Sequence, residues 1–126
     1  MIDKNTYLRD GSTDLTASEN GTGVLTGVDL YPQTWMCAVP IVPTGTTPTM
    51  LMEIQESPDN TNWRTIGVFT QDGASSINTI NAQGIYYVTV QSNEIYRRAK
   101  STITGTTPHM GNVLVCPVPA GRYNHW

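Results

Sequence analysis

The stretch Thr44-Gly-Thr-Thr-Pro-Thr-Met50 decides the fold, because it returns sixty positions later as Thr104-Gly-Thr-Thr-Pro-His-Met110. Glycine adopts backbone angles that strain other residues, proline ends the hydrogen-bonded ladder between strands, and threonine favours extended backbone. Each copy is flanked by strand-like runs on both sides. We therefore predict that both copies are loops that close β-hairpins in an all-β fold.

Alternation of apolar and polar residues predicts strands along most of the chain. No segment has the apolar spacing of an amphipathic helix. Strands that recur about every ten residues are typical of sandwiches and jelly rolls. We predict an all-β fold, a single-domain β-sandwich of jelly-roll type with eight or nine short antiparallel strands. The candidate strands are residues 15–19, 23–28, 34–42, 49–57, 63–70, 76–80, 85–91, 95–104 and 112–118.

The two ends of the chain differ from its middle. A length of 126 residues fits one domain with one core. Residues 1–14 have no clear period and carry several charges, and the last seven residues, Ala120-Gly-Arg-Tyr-Asn-His-Trp126, are also polar or aromatic without alternation. We predict an N-terminal arm over residues 1–14, the sandwich over residues 15–119 and a C-terminal tail over residues 120–126.

Charge and hydropathy exclude several classes of partner. The net charge is −3 and only 13% of residues are charged, which disfavours a nucleic-acid binder that neutralises phosphates. No apolar run reaches the roughly 18 residues of a membrane span. The start, Met1-Ile-Asp-Lys-Asn-Thr6, has an acidic residue and no hydrophobic stretch after it, so we do not expect a secretory signal. The sequence predicts a protein that binds neither nucleic acid nor membrane and acts where it is made, unless lysis releases it.

The residues that usually carry chemistry are few. Cys37 and Cys116 lie inside apolar strand patterns, which favours buried free thiols over a disulfide or a metal site. His109 and His125 have no metal-ligand spacing, and we expect both at the surface. The loop Asp59-Asn-Thr-Asn62 offers several oxygens but lacks the glycine and glutamate of a calcium loop, so a hairpin turn is the better interpretation. We predict no catalytic residue, no metal and no cofactor.

A basic cluster and the aromatic residues are the candidates for partner contacts. Arg97-Arg98-Ala-Lys100 holds three of the seven basic residues, and on a strand Arg98 and Lys100 share one face while Arg97 points to the other. An acidic protein surface would suit Arg98 and Lys100, and a solvated or charge-protected edge strand is the alternative. Aromatic residues pack in cores, contact partners or stack on sugars, and these alternatives stay open. The candidate contacts are Trp35, Tyr87, Arg98, Lys100, Tyr123 and Trp126.

Four features define the layout of the chain: the polar start Met1–Asp10, the segment Asp14–Asp29, the middle hairpin with its turn Ser57-Pro-Asp-Asn60, and the closing strands around Gly105-Thr-Thr-Pro108. In this layout the chain resembles the small jelly-roll cement, or decoration, proteins of tailed bacteriophage capsids. The resemblance covers most of the chain but assigns no single contact residue.

The resemblance implies a structural role in a virion. The expected function is non-enzymatic binding to the outside of a phage shell, with the major capsid protein as partner, a homotrimer as assembly, and the capsid surface as location after synthesis in the host cytoplasm. The same sandwich also suits a carbohydrate-binding module or another module associated with phage tails or fibres.

Overall fold

The computed structural model describes residues 7–70 and 79–118. These residues form nine strands and no helix, hence no helix that is long and apolar enough to cross a membrane. The strands are β1 (Arg9–Asp10), β2 (Glu19–Asn20), β3 (Val24–Leu25), β4 (Gln33–Val39), β5 (Thr44–Ser57), β6 (Arg64–Val68), β7 (Gly84–Val90), β8 (Tyr96–His109) and β9 (Leu114–Pro117).

The strands form two antiparallel sheets that enclose one core. Sheet 1 has the strand order β1-β9-β4-β7. Sheet 2 has the order β2-β8-β5-β6, and β3 pairs with β8 further along the edge that β2 occupies. The prediction of an all-β sandwich with eight or nine antiparallel strands is confirmed.

Alternation along each strand determines which side chains enter the core. In β4, Trp35, Cys37 and Val39 are buried while the residues between them face outward. From the sequence we expect seven residues in the core: Ile54, Ile66, Val68, Val88, Ala99, Ile103 and Val115. Ile54, Ala99 and Val115 are buried, Ile66, Val88 and Ile103 are partly buried against the core, and Val68 is half-buried outside the core cluster. Trp35, one of the candidate contacts, is only 1% exposed, and its ring points into the core.

The two Thr-Gly-Thr-Thr-Pro segments are not hairpin loops, so that prediction is wrong. A hairpin loop would require the strands before and after the first copy to pair with each other. They do not, because β4 pairs with β7 and β9 whereas β5 pairs with β6 and β8. Both copies instead belong to the strands β5 and β8, where Thr44 lies opposite His109 and Thr49 lies opposite Thr104. The chain crosses from sheet 1 to sheet 2 just before the first copy and returns to sheet 1 just after the second. The two copies pair with each other and form an exposed ribbon.

Part of the predicted N-terminal arm belongs to the sandwich. Within residues 7–14, Arg9 and Asp10 form β1 on the edge of sheet 1, and Leu8 is buried in the core. The boundary predicted after residue 14 is therefore too late for these residues. Most of the candidate strand 76–80 and the whole predicted tail, residues 120–126, lie outside the described residues, although Ile80 makes a bridge to Met50 in β5.

Candidate functional site

Three loops meet at one end of the sandwich, where β3, β5 and β7 end and β4, β6 and β8 begin. They are residues 26–32, 58–63 and 91–95, and we call this end the loop end. Backbone hydrogen bonds tie the first loop to the third: the N–H groups of Thr26 and Gly27 donate to the Ile95 carbonyl oxygen at 2.9 and 3.1 Å. The first and third loops thus form one connected surface.

A buried ion pair attaches the first loop to the interior of the sandwich. Arg97 points into the sandwich, as the alternation along β8 predicts, and is only 2% exposed. Its guanidinium Nη1 lies 3.1 Å from Asp29 Oδ1, Nη2 donates to the Gly27 carbonyl oxygen, and the guanidinium carbon lies 5.8 Å from the centre of the Trp35 ring. An arginine without these partners would carry an uncompensated buried charge, so loop and strand depend on each other.

Further hydrogen bonds fix the path of the first loop. The Asp29 N–H donates to the Ser92 carbonyl oxygen and the Ser92 N–H donates back to Asp29 Oδ2, both at 3.0 Å. The Gln91 side-chain amide donates to the carbonyl oxygens of Asp29 and Leu30, both at 3.3 Å. The backbone on either side of Leu30 is therefore held in place before any partner binds.

Glu56 organises the third loop in the same way. Its buried carboxylate accepts hydrogen bonds from the Ser92 hydroxyl and the Asn93 N–H, both at 2.9 Å, and pairs with the exposed Arg64. Burial raises the pKa of Glu56, but the hydrogen bonds from Arg64, Ser92 and Asn93 outweigh burial and hold the pKa below its ordinary value. The ionised carboxylate is thus the form that stabilises the loop.

Large apolar side chains project from this rigid frame. Leu30 is 85% exposed and Tyr31 is 79% exposed, and they line a recess of about 460 Å³ whose other walls include Val28 and Val118. Exposed apolar residues in a group mark interaction sites more often than isolated ones do. We call the group the loop-end surface; its members are Leu25, Val28, Leu30, Tyr31 and Ile95.

A smaller pocket lies beside the recess. It has a volume of about 140 Å³ and is lined by Thr26, Asp29, Gln33, Trp35, Arg97 and Pro117. Three polar atoms on these lining residues are buried and have no hydrogen-bond partner within the described part of the chain: Thr26 Oγ1, Trp35 Nε1 and Arg97 Nε. The ring of Trp35 is thus buried while its N–H group donates no hydrogen bond to the described residues. We call this the donor pocket.

The second exposed apolar region is the outer side of sheet 1. Tyr87 lies opposite Met36 and Ile85 lies opposite Ala38, with Tyr87 50% and Ile85 55% exposed. Neither β4 nor β7 contains a charged residue. We call these four residues the apolar face. The predicted contact Tyr87 therefore lies at the surface, on the side of sheet 1 opposite to Trp35.

Arg98 and Lys100 lie on the outer side of sheet 2, away from Tyr87. The predicted split of the basic cluster is correct, since Arg97 is buried while the other two are partly exposed. Arg98 donates to the Gln55 side-chain oxygen at 2.8 Å and lies 4.4 Å from the centre of the Trp63 ring. Lys100 faces Glu53 across the strand pair. Both cations thus have neighbours within the chain, and Arg98 covers one face of Trp63.

The remaining candidates for chemistry have structural partners. His109 Nδ1 lies 2.7 Å from Asp14 Oδ2 in an exposed pair, and this hydrogen bond lowers the pKa of Asp14. Asp59 accepts hydrogen bonds from the Thr61 and Asn62 N–H groups, both at 2.9 Å, in the turn between β5 and β6, which confirms a hairpin turn. Within residues 7–70 and 79–118, no three His, Cys, Asp or Glu side chains are grouped as metal ligands would be.

The predicted contacts Tyr123 and Trp126, and also His125, lie outside the described residues. Thr26, Asp29, Leu30 and Tyr31 were not predicted as site residues, although a Leu-Tyr pair before Pro32 in a loop was a readable signal. No protein-family model matches the chain, and a search of curated proteins finds no significant relative.

Proposed function

We propose that this chain is a non-enzymatic structural protein of a bacteriophage virion. It is a cement, or decoration, protein that binds the outer surface of the capsid through the major capsid protein and stabilises the shell. The observation that carries this is the pair of exposed apolar regions on different elements, the loop-end surface and the apolar face, the second of which lies on two strands without charged residues. A bridging protein requires at least two contact regions, whereas a small enzyme requires one cleft with titratable groups.

The strand order supports a jelly-roll assignment within the sandwich. β4 pairs with β9 in sheet 1, and β5, which follows β4, pairs with β8, which precedes β9, in sheet 2. The four strands therefore form one long antiparallel ribbon that passes from sheet 1 into sheet 2. The outer strands β1 and β7 complete sheet 1, and β2, β3 and β6 complete sheet 2. Rolling a long antiparallel ribbon into two sheets is how a jelly roll is built, and viral capsid domains use this architecture.

The proposed assembly is a homotrimer that uses the apolar face between copies. In an acidic chain of net charge −3, a region without charges is where identical copies approach with the least repulsion. The first copy bound to a shell then raises the effective concentration of the next, so that weak contacts add up. The protein is made in the host cytoplasm and resides on the virion surface.

The carbohydrate-binding alternative has less support from the aromatic residues. A sugar stacks on an open aromatic ring, but one face of Trp63 carries the Arg98 guanidinium at 4.4 Å from the ring centre, and Trp35 is buried. Tyr31 is exposed, but it lies among aliphatic side chains of the loop-end surface.

The test uses expanded shells of the phage that encodes this chain, assembled without it. Purified protein is added, and the bound ratio and the melting temperature of the shell are measured. The proposal expects saturable binding at a ratio fixed by the shell symmetry and a higher melting temperature of the shell. Shells that bind nothing, together with measurable affinity of the protein for a sugar in a glycan screen, would replace the cement function with the carbohydrate module.

A further inference from the structure

We propose that the donor pocket is a binding site for a neutral acceptor oxygen of the shell protein, a side-chain amide or main-chain carbonyl oxygen, and that Leu30 and Tyr31 pack against apolar side chains beside it. This assignment rests on the cement function and names the contact through which it acts. Three observations carry it: the unpaired donors, the charge of the pocket and the rigid apolar residues at its edge.

The unpaired polar atoms determine what the occupant must supply. The indole N–H of Trp35 and the Nε–H of Arg97 can only donate hydrogen bonds, and the Thr26 hydroxyl can donate as well. Trp35 and Arg97 are 1% and 2% exposed, so these donors have little access to bulk water and leaving them unpaired is unfavourable. The occupant must therefore present a hydrogen-bond acceptor.

The charges around the pocket exclude an anionic acceptor. Arg97 is the only cation among the lining residues, and Asp29, another lining residue, already neutralises it at 3.1 Å. A carboxylate or phosphate in the pocket would lie near the Asp29 carboxylate and repel it. An uncharged amide or carbonyl oxygen satisfies the donors without this repulsion.

The volume suits the tip of a side chain or one exposed peptide group. The pocket measures about 140 Å³, compared with the roughly 10–15 Å³ that a single water molecule requires.

The rim of the pocket has the properties of an interface hot spot. Leu30 and Tyr31 are exposed, and the backbone around them is already fixed by Asp29, Ser92 and Gln91. A preorganised aromatic and aliphatic pair costs little conformational entropy on binding. The partner surface is thus uncharged, with an apolar recess next to an exposed acceptor.

The experiment removes two of the three unpaired donors, and at Thr26 it does so with little change in the shape of the side chain. Thr26→Val removes the hydroxyl, and Trp35→Phe removes the indole N–H; the matched controls are Thr102→Val on the outer side of β8 and Tyr86→Phe, which removes an aromatic donor near the start of β7, away from the loop end. For all four proteins and the wild type, the affinity for shells that lack the protein and the melting temperature of the free protein are measured.

We expect Thr26→Val to weaken shell binding by roughly 5- to 30-fold while the melting temperature of the free protein stays the same or rises, because an unpaired buried hydroxyl is lost. Trp35→Phe weakens binding to a similar degree, and both controls bind like the wild type. Thr26→Val tests the site even where the loss of ring volume in Trp35→Phe lowers the stability of the fold.

The possible failures are distinguishable. If the wild type binds shells and Thr26→Val binds equally well, the pocket holds only water and the inference is overturned, while the cement function stands. If Thr26→Val loses affinity only in proportion to a lower melting temperature, the residue is structural and the inference is again overturned. If the wild type binds no shell, the cement function fails, and the inference fails with it.

Discussion

Thr46 lies opposite Thr106 at the centre of a local two-fold relationship between the two copies of Thr-Gly-Thr-Thr-Pro. The pairs on either side of this centre, Thr44 with His109 and Thr49 with Thr104, exchange when one copy is mapped onto the other. Local details repeat as well: the Thr47 and Thr107 side chains each donate to the preceding carbonyl oxygen at 2.8 Å, and both residues have a φ of 47°. Equal sequences thus adopt equal conformations by pairing with each other.

The two glycines of this ribbon are expected to be equally intolerant of substitution. Gly45 and Gly105 have φ angles of +111° and +116°, and a methyl group added to either would lie 2.6 or 2.8 Å from a carbonyl oxygen of the opposite copy. Gly45→Ala and Gly105→Ala should each lower the free energy of unfolding by about 2 kcal/mol or more. Urea denaturation provides the measurement.

Gly27→Ala is the matched control for these two variants. Its φ is +81°, but a methyl group there would have no neighbour within 4 Å, so it tests backbone strain without a steric clash. We expect Gly27→Ala to lower the free energy of unfolding by about 1 kcal/mol. Equal costs at Gly27 and Gly45 would show that the close approach of the two copies contributes nothing.

The ribbon also shows how far the sequence alone could lead. Alternation identified the strands and the inward direction of Arg97, because burial on one face of a sheet imposes a period of two. The repeat itself was misinterpreted as two loops. Glycine, threonine and proline have the same local preferences in a bulged strand as in a turn, and only the pairing of residues 60 positions apart distinguishes the two.

The candidate site was harder to predict for a related reason. Trp35 was a candidate contact, yet its ring is buried and only the indole N–H remains unpaired. The site depends on Asp29 meeting Arg97 across a distance of 68 residues in the chain. No local pattern specifies such a pair, because charge complementarity between distant residues requires the fold to be known.

The Asp29–Arg97 pair should be essential for the stability of the loop end. Asp29→Ala leaves a cation that is only 2% exposed without its partner, and we expect a loss of about 3–5 kcal/mol in the free energy of unfolding. His109→Ala, which removes the exposed partner of the exposed Asp14, is the control and should cost less than about 1 kcal/mol. Chemical denaturation of both variants tests this, and similar losses would contradict the special role of the buried pair.

Glu56 should make the stability of the protein depend on pH. Because hydrogen bonds hold its folded-state pKa below the ordinary value of 4.5, its contribution is complete above about pH 4.5 and is lost as the pH falls through the folded-state pKa. Glu56→Ala should lower the free energy of unfolding by about 2–4 kcal/mol at pH 7, since the Ser92 hydroxyl and the Asn93 N–H lose their acceptor.

The pH profile separates this effect from simple loss of packing. The stability difference between wild type and Glu56→Ala should shrink as the pH falls below about 4.5. Glu53→Ala, three residues earlier on the outer side of β5, is the control for the loss of a carboxylate outside the core and should have a small effect on stability. A difference between wild type and Glu56→Ala that is constant from pH 7 to pH 3 would refute the role of the ionised carboxylate.

The cysteines should be unreactive in the folded protein. Cys37 and Cys116 are both buried, and their register places Cys37 opposite Val115 while Cys116 lies opposite Met36, so the two point to opposite sides of sheet 1. Burial raises the pKa of Cys37 to about 12. A thiol reagent at pH 8 should modify Cys37 only as fast as the protein opens, and complete labelling within minutes under native conditions would contradict this placement.

The apolar face should control self-association without affecting the donor pocket. Tyr87→Lys places a cation in a region where β4 and β7 have no charge, and a trimer that buries this face would have to desolvate that cation without a partner. We expect at least a roughly tenfold loss in the association constant, measured by analytical ultracentrifugation, or in the cooperativity of shell binding if trimers form only on the shell. Thr102→Lys on the exposed outer side of β8 adds the same charge elsewhere and should leave association unchanged. If Thr102→Lys dissociates the trimer and Tyr87→Lys does not, the copies meet through sheet 2, and the apolar face is left for the shell.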